Sequence, residues 1–195
     1  LQQKIPVPQI LCYEQIKDTN YLLMSKLEGE MLCSDYFLSH PSELIKMVAK
    51  GLNHLWSVNI SDCPYNNSVE NKLRLAEIRV NNGLCSMDDS EPDTYGENGF
   101  NSPNELLKWL KYNKPAQTPV LSHGDFCLPN IFSNNGEILG FIDLGRSGIA
   151  DKYQDIALCY RSLKHNFDGK YSEKTFPGFS CEMLFDELEI RPNWE

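Results

Sequence analysis

Asp125, Asn130 and Asp143 fall within nineteen residues of one another, and side chains of these types can carry a phosphoryl transfer. One carboxylate can orient an attacking hydroxyl and accept its proton. A second carboxylate and a carboxamide oxygen are hard donors, suited to holding Mg2+ against phosphates. The spacing brings the three together. Ile131-Phe132 and Ile138 to Ile142 read as strands, and Asn135-Gly136 between them is a strong hairpin signal. A hairpin folds its ends back on each other. Asn130, before the first strand, therefore approaches Asp143, after the second, with Asp125 beside them.

The rest of the chain must position this hairpin. Residues 5–14 read as a proline-marked loop entering a strand, Asp18-Thr19-Asn20 as a turn, and Tyr21 to Met24 as a short buried strand. Ser39-His40-Pro41 supplies a cap and an early helical proline. Leu44, Val48, Leu52 and Leu55 follow at helical spacing. A second helix is expected over 68–80, with Val69, Leu73, Ala76 and Val80 in one stripe. Residues 81–101 hold Asp88, Asp89, Glu91, Asp93 and Glu97 among glycines and a proline, and read as an acidic loop. Ser102-Pro103-Asn104-Glu105 has the form of a capping box opening a helix to about Asn113. Asp151 opens a helix through Leu163 with Ile156, Ala157, Tyr160 and Leu163 on one face. A last helix is expected near 179–189.

Bulk properties narrow the function classes. The net charge is −9 and no basic face is visible, which argues against nucleic-acid binding. No run of about 18 apolar residues exists to cross a membrane. Seven widely spaced cysteines without a C-x-x-C pair suggest neither a disulfide framework nor a zinc site. They fit reduced thiols in a cytoplasmic protein. The N-terminus, Leu1-Gln2-Gln3-Lys4, has no starting Met and reads as an internal cut.

His123-Gly124-Asp125, followed after four residues by Asn130, has the order of the protein-kinase catalytic loop. Asp143-Leu144-Gly145 stands where the kinase metal-binding D-F-G would be. The stretch from Leu121 to Phe132 resembles the motif of antibiotic kinases. Gly140 to Ala157, Ile60 to Tyr65 and the ending Ile190-Arg-Pro-Asn-Trp194 resemble the aminoglycoside 3′-phosphotransferase family, and the similarity spans nearly the whole chain. That resemblance implies an α+β, protein-kinase-like fold, mainly the helical C-terminal lobe with a catalytic β-hairpin. It implies residues 1–27 as the end of an N-terminal lobe and hinge strand, and 28–195 as the catalytic and substrate-binding lobe. The reaction implied is ATP-dependent phosphorylation of the 3′-hydroxyl of kanamycin or neomycin, giving antibiotic resistance. Asp125 is then the base, and Asn130 and Asp143 hold Mg2+. Arg146 stands by the transferring phosphate or the sugar. Met24, Ser25 and Leu27 line the hinge against adenine, and the acidic loop reads the drug's ammonium groups.

Other positions have plainer readings. His123 and Asp155 are expected to support the catalytic loop, the second by bonding its backbone. Cys127 is expected to pack, with no base beside it to make it a nucleophile. Arg161 faces either acidic groups or solvent. Residues 1–20 contain no glycine and only two lysines, Lys4 and Lys17. The phosphate-covering loop and strand lysine of a kinase are therefore expected to be absent. So is the C-terminal helix the family carries beyond Trp194. The expectation is an intact protein that is active and a 195-residue chain that alone is not. Competing readings are another small-molecule kinase, for choline, homoserine or a sugar amine, and a non-catalytic binding module.

Overall fold

The computed structural model describes residues 5–88, 90–180 and 182–191. Leu1 to Lys4, Asp89 and Pro192 to Trp194, named above, lie outside the described residues, as does one of the seven cysteines, Cys181. Two strands, β1 (Ile10–Ile16) and β2 (Thr19–Met24), form an antiparallel hairpin. Its turn falls at Lys17-Asp18, one residue earlier than expected, with Lys17 in the left-handed region at φ 54°. Tyr21 to Met24 were expected to be buried, yet every residue of both strands is exposed. A two-stranded ribbon has two faces, and no described element covers either one.

The core is built on α2 (Pro41–Trp56). Its stripe of Leu44, Val48, Leu52 and Leu55 is wholly buried, at 0% exposure each. Such side chains contribute about 1.5–3 kcal/mol apiece. Proline occupies the first turn as expected. The N-cap is His40, however, because Ser39 closes a short helix, α1 (Asp35–Leu38), whose four residues are too few to carry a period. Helix α3 (Val69–Asn81) is capped by the Ser68 side chain and buries only Leu73. Helix α4 (Pro103–Tyr112) is capped by Ser102, which accepts from Glu105 N. The return bond of a capping box goes elsewhere: the Glu105 carboxylate accepts from the Asn101 backbone and side-chain nitrogens.

Strand β3 (Glu30–Met31) pairs with β5 (Ile131–Asn134), which pairs in turn with β6 (Glu137–Phe141). Asn135 and Gly136 join β5 to β6 with positive φ at both positions, 50° and 73°, as a tight primed turn demands. Strand β4 (Pro119–Ser122) pairs with β7 (Gly148–Asp151), a strand the sequence pattern had not suggested. Helix α5 (Lys152–Phe167) is capped by Asp151 and buries Asp155, Ile156, Cys159, Ser162, Leu163 and Phe167. Ala157, expected on that face, is exposed. The stripe is rotated so that Asp155 reaches the loop after β4. Helix α6 (Glu182–Glu187) is shorter than expected and packs Leu184 and Phe185 against the core.

Phe126 and Phe141 fill the centre beneath the segment from Ser122 to Asn130. Gly51 of α2 permits their approach. A Cβ there would come within 3.2 Å of the Phe126 ring.

Candidate active site

The segment from Ser122 to Asn130 leaves β4, crosses the core and enters β5 through a 3-10 turn at Leu128–Asn130. Three internal bonds shape it. Asp125 N donates to His123 Nδ1 at 3.3 Å, Cys127 N to Asp125 O at 2.8 Å, and Asn130 Nδ2 to Asp125 O at 3.0 Å. The last bond spends the nitrogen end of the Asn130 carboxamide and leaves its oxygen as the free end. Ser162 of α5 accepts from Leu128 N at 3.1 Å and anchors the turn.

Asp143 follows β6 in the left-handed region, φ 57° and ψ 50°. Ile142 N donates to Asn130 O at 3.0 Å, so the two arms of the hairpin bring Asn130 and Asp143 to one end. The Asp143 carboxylate is exposed, and among the described residues no side chain or backbone group bonds it. The sequence-predicted trio is thus brought together. No cluster of three His, Cys, Asp or Glu side chains able to hold a metal occurs among the described residues. The available set is one carboxylate plus one amide oxygen. That suits Mg2+, which keeps waters and substrate phosphates as its remaining ligands, better than it suits a metal held by protein alone.

His123 is fully buried between the rings of Phe126 and Phe141, at centroid distances of 6.0 and 6.1 Å. Burial lowers its pKa, against the pull of the Asp125 and Asp143 carboxylates and the Ile142 backbone. With Nδ1 accepting from Asp125 N, the neutral ring carries its proton on Nε2, which makes no well-formed hydrogen bond among the described residues. The ring is thus tied to the loop through Asp125 N and packed between two phenylalanines.

Asp155 is buried at 0% exposure and accepts from His123 N at 2.8 Å and Gly124 N at 3.0 Å. Desolvation raises its pKa, opposed by those same two backbone bonds. The expected structural role is visible in these contacts.

Cys127 does more than pack. Its thiol donates to Asp125 Oδ1 at 3.1 Å. Burial first, then the bond to Asp125 and that carboxylate's charge, push the thiol up to about 12. Iodoacetamide at about pH 8 is therefore expected to leave Cys127 unmodified in the native protein while exposed Cys12 reacts. Peptide mass spectrometry reads both sites, and rapid alkylation of Cys127 would contradict the bond.

Arg146 ends the 3-10 turn Leu144–Arg146, and its guanidinium is exposed. Arg161 meets an acidic group: it pairs with Glu91 of the acidic loop at 3.6 Å. Both side chains are about half exposed (48% and 55%), so the pair contributes about 0–1 kcal/mol. At the far end of β2, Ser25 N already donates to Gln9 O at 2.9 Å, and Ser25 Oγ accepts from Gln9 N at 2.9 Å. Leu27 lies over Gly140, where a Cβ would come within 2.5 Å of it. Met24 is exposed.

Sequence reasoning missed Asn67. Its carboxamide bonds the backbone beside Arg146, but it lies 79 positions away, and Asn66-Asn67-Ser68 reads locally only as a helix entry.

Residues 1–191 match the phosphotransferase enzyme family. An aminoglycoside 3′-phosphotransferase of Enterococcus faecalis is 40% identical over all of this chain and 70% of its own length. One from Staphylococcus aureus is 38% identical over all of this chain and 71% of its own. Among solved structures, aminoglycoside phosphotransferase APH(3″)-Id of Streptomyces rimosus superposes with a TM-score of 0.76 at 24% identity, covering 98% of this chain and 71% of that one. The same enzyme in complex with ADP and streptomycin gives 0.73 at 25% identity, with coverage of 98% and 72%. The α+β architecture with its catalytic hairpin is thus the kinase-like fold of these enzymes, and the chain belongs to the phosphotransferase enzyme family, among the aminoglycoside 3′-phosphotransferases.

Proposed function

We propose that the protein transfers the γ-phosphoryl group of ATP to the 3′-hydroxyl of an aminoglycoside such as kanamycin or neomycin, and so confers resistance. The observation that carries this reading is the Asp125 carboxylate. Oδ1 is occupied by the Cys127 thiol, and Oδ2 accepts no bond from the described residues, beside an Asn130 whose oxygen end is free. The substrate hydroxyl donates to Oδ2. As its oxygen bonds phosphorus, the bond from the γ-phosphorus to the leaving ADP oxygen breaks, and the hydroxyl proton passes to Asp125. Arg146 offsets charge on the phosphate or orients the sugar. Asn130 and Asp143 would hold Mg2+, which when bound neutralises phosphate charge.

Residues 1–27 serve as the end of the nucleotide-clamping lobe and its hinge, and residues 28–195 as the catalytic lobe. Met24, Ser25 and Leu27 line the adenine side. Because the Ser25 N–H is spent on Gln9, adenine's edge is met by the other backbone groups there. The carboxylates of the 81–101 loop, Glu91 among them, take the drug's ammonium groups. Six free cysteines among the described residues fit a cytoplasmic setting.

The test is ATP-dependent phosphorylation of kanamycin, followed by mass and by the position of the new phosphate. The chain spans about 70% of the length of the curated relatives it matches. The assay is therefore run on the 195-residue chain and on the longest form of the protein that its gene encodes. The longest form is expected to add one phosphate at the 3′-oxygen. Transfer to choline, homoserine or an amino sugar in place of any aminoglycoside would sink the proposal.

A further inference from the structure

The guanidinium of Arg146 has no hydrogen bond or ion pair among the described residues. Its placement therefore depends on the backbone it stands on, and that backbone is held from both sides. On one side is Gly124, next to Asp125, at φ 84°. A Cβ on Gly124 would lie 2.0 Å from Arg146 O, so the two peptide segments touch directly. On the other side is Asn67. Its Nδ2 donates to Arg146 O at 2.9 Å and to Ser147 O at 3.1 Å, so both amide hydrogens are used on consecutive carbonyls.

Asn67 is itself held rigidly. Its N–H donates to Ile149 O at 2.8 Å, and Ile149 N returns a bond to Tyr65 O at 2.8 Å. These bonds form a parallel bridge between residue 66 and Ile149, just past the turn that carries Arg146. Gly148 makes room for the arrangement: a Cβ there would lie 2.8 Å from Asn67 Nδ2. The segment before α3 thus acts as a brace, clamping the peptides after the metal-side loop against the base-side loop.

We propose that Asn67 is a positioning residue for phosphoryl transfer: its carboxamide fixes the Arg146–Ser147 peptides and thereby sets both the Arg146 guanidinium and the spacing between the Asp125 and Asp143 loops. The kinetic side of this rests on the function proposed above, whereas the structural side does not. Among the described residues no other side chain bonds Arg146 O, so the brace has no duplicate there.

Asn67→Ala removes both donors, and Asn67→Asp keeps the size but offers acceptors to two carbonyls. Both are expected to lower kcat for kanamycin phosphorylation by about 10- to 100-fold, because misplacement on the order of 1 Å costs about 100-fold. KM for ATP and for the drug is expected to change less than about threefold. The readout specific to positioning is a double-mutant cycle. Asn67→Ala in an Arg146→Ala background is expected to cost much less than in the wild type. Full additivity would show that Asn67 does not act through Arg146 and would overturn the proposal.

Amide hydrogen exchange gives a second reading that needs no activity. Asn67→Ala is expected to speed exchange at Ser147, Ile149 and Gly124 by about tenfold or more, with the amides of α2 unchanged. Unaltered exchange at those three amides would also overturn the brace. If exchange rises but the wild type phosphorylates no aminoglycoside, the function reading fails and the brace stands.

Discussion

Asp125→Asn is expected to lower kcat for aminoglycoside phosphorylation by about 10²–10⁴-fold, with KM for ATP changed less than about threefold. The substitution isolates the chemistry because it is nearly isosteric. The three bonds that shape the loop use the backbone of residue 125: N to His123 Nδ1, O from Cys127 N, and O from Asn130 Nδ2. All three survive in Asn. The thiol of Cys127 can still donate to a carboxamide oxygen at the Oδ1 position. What disappears is an oxygen that can take a proton, since the second atom becomes an NH2 that donates instead. The melting temperature should therefore stay within a few degrees of wild type while turnover collapses. Asp125→Glu makes the complementary test. It keeps the carboxylate but displaces it by about one methylene, and a shift of that size costs on the order of 100-fold. A kcat for Asp125→Asn within about threefold of wild type would mean the hydroxyl loses its proton by another route.

The parts of this site that were legible in the sequence are those specified by neighbours along the chain. Asn135-Gly136 announces its own turn, because few residues accept positive φ twice in succession, and the turn then places Asn130 opposite Asp143. The α2 stripe is legible because one face of sixteen residues repeats faithfully. Other features depend on partners far along the chain. Tyr21 to Met24 have the composition of a buried strand, but composition cannot say what covers it, and here the strand is exposed. Ala157 fits the periodicity of α5 as well as Cys159 does. Only the demand that Asp155 reach the peptides of His123 and Gly124 selects the rotation of the helix. β7 has four residues and exists because β4 is there to pair with it. Asn67 could not be found from its surroundings at all, since its two acceptors are carbonyls, which every residue carries.

Asp155 is the point where the helical layer grips the loop that carries Asp125, and Asp155→Ala is expected to destabilise the protein by about 3–5 kcal/mol. With about 2–4 °C per kcal/mol at this chain length, melting falls by roughly 6–20 °C. The carboxylate is fully buried and satisfies His123 N at 2.8 Å and Gly124 N at 3.0 Å. Removing it leaves both donors in a water-poor site, each unsatisfied group costing about 1–3 kcal/mol, plus a cavity. Gly124 has a partial fallback, because its N–H also reaches Ser122 Oγ at 3.0 Å; among the described residues His123 N has none. The raised pKa of Asp155 shows that burial opposes the charged form more than the two bonds favour it. The charge is therefore a burden and the acceptor geometry is the benefit. The sign follows: this group's contribution is full below the ordinary Asp pKa and declines as pH rises through the raised one. Asp155→Asn separates the two effects. It sheds the charge, keeps one acceptor and turns an NH2 toward the other N–H, so it should fall between wild type and Ala. Thermal unfolding of the three proteins decides the matter, and an Asp155→Ala variant that melts within 2–3 °C of wild type, about 1 kcal/mol, would show that the loop does not hang from this carboxylate.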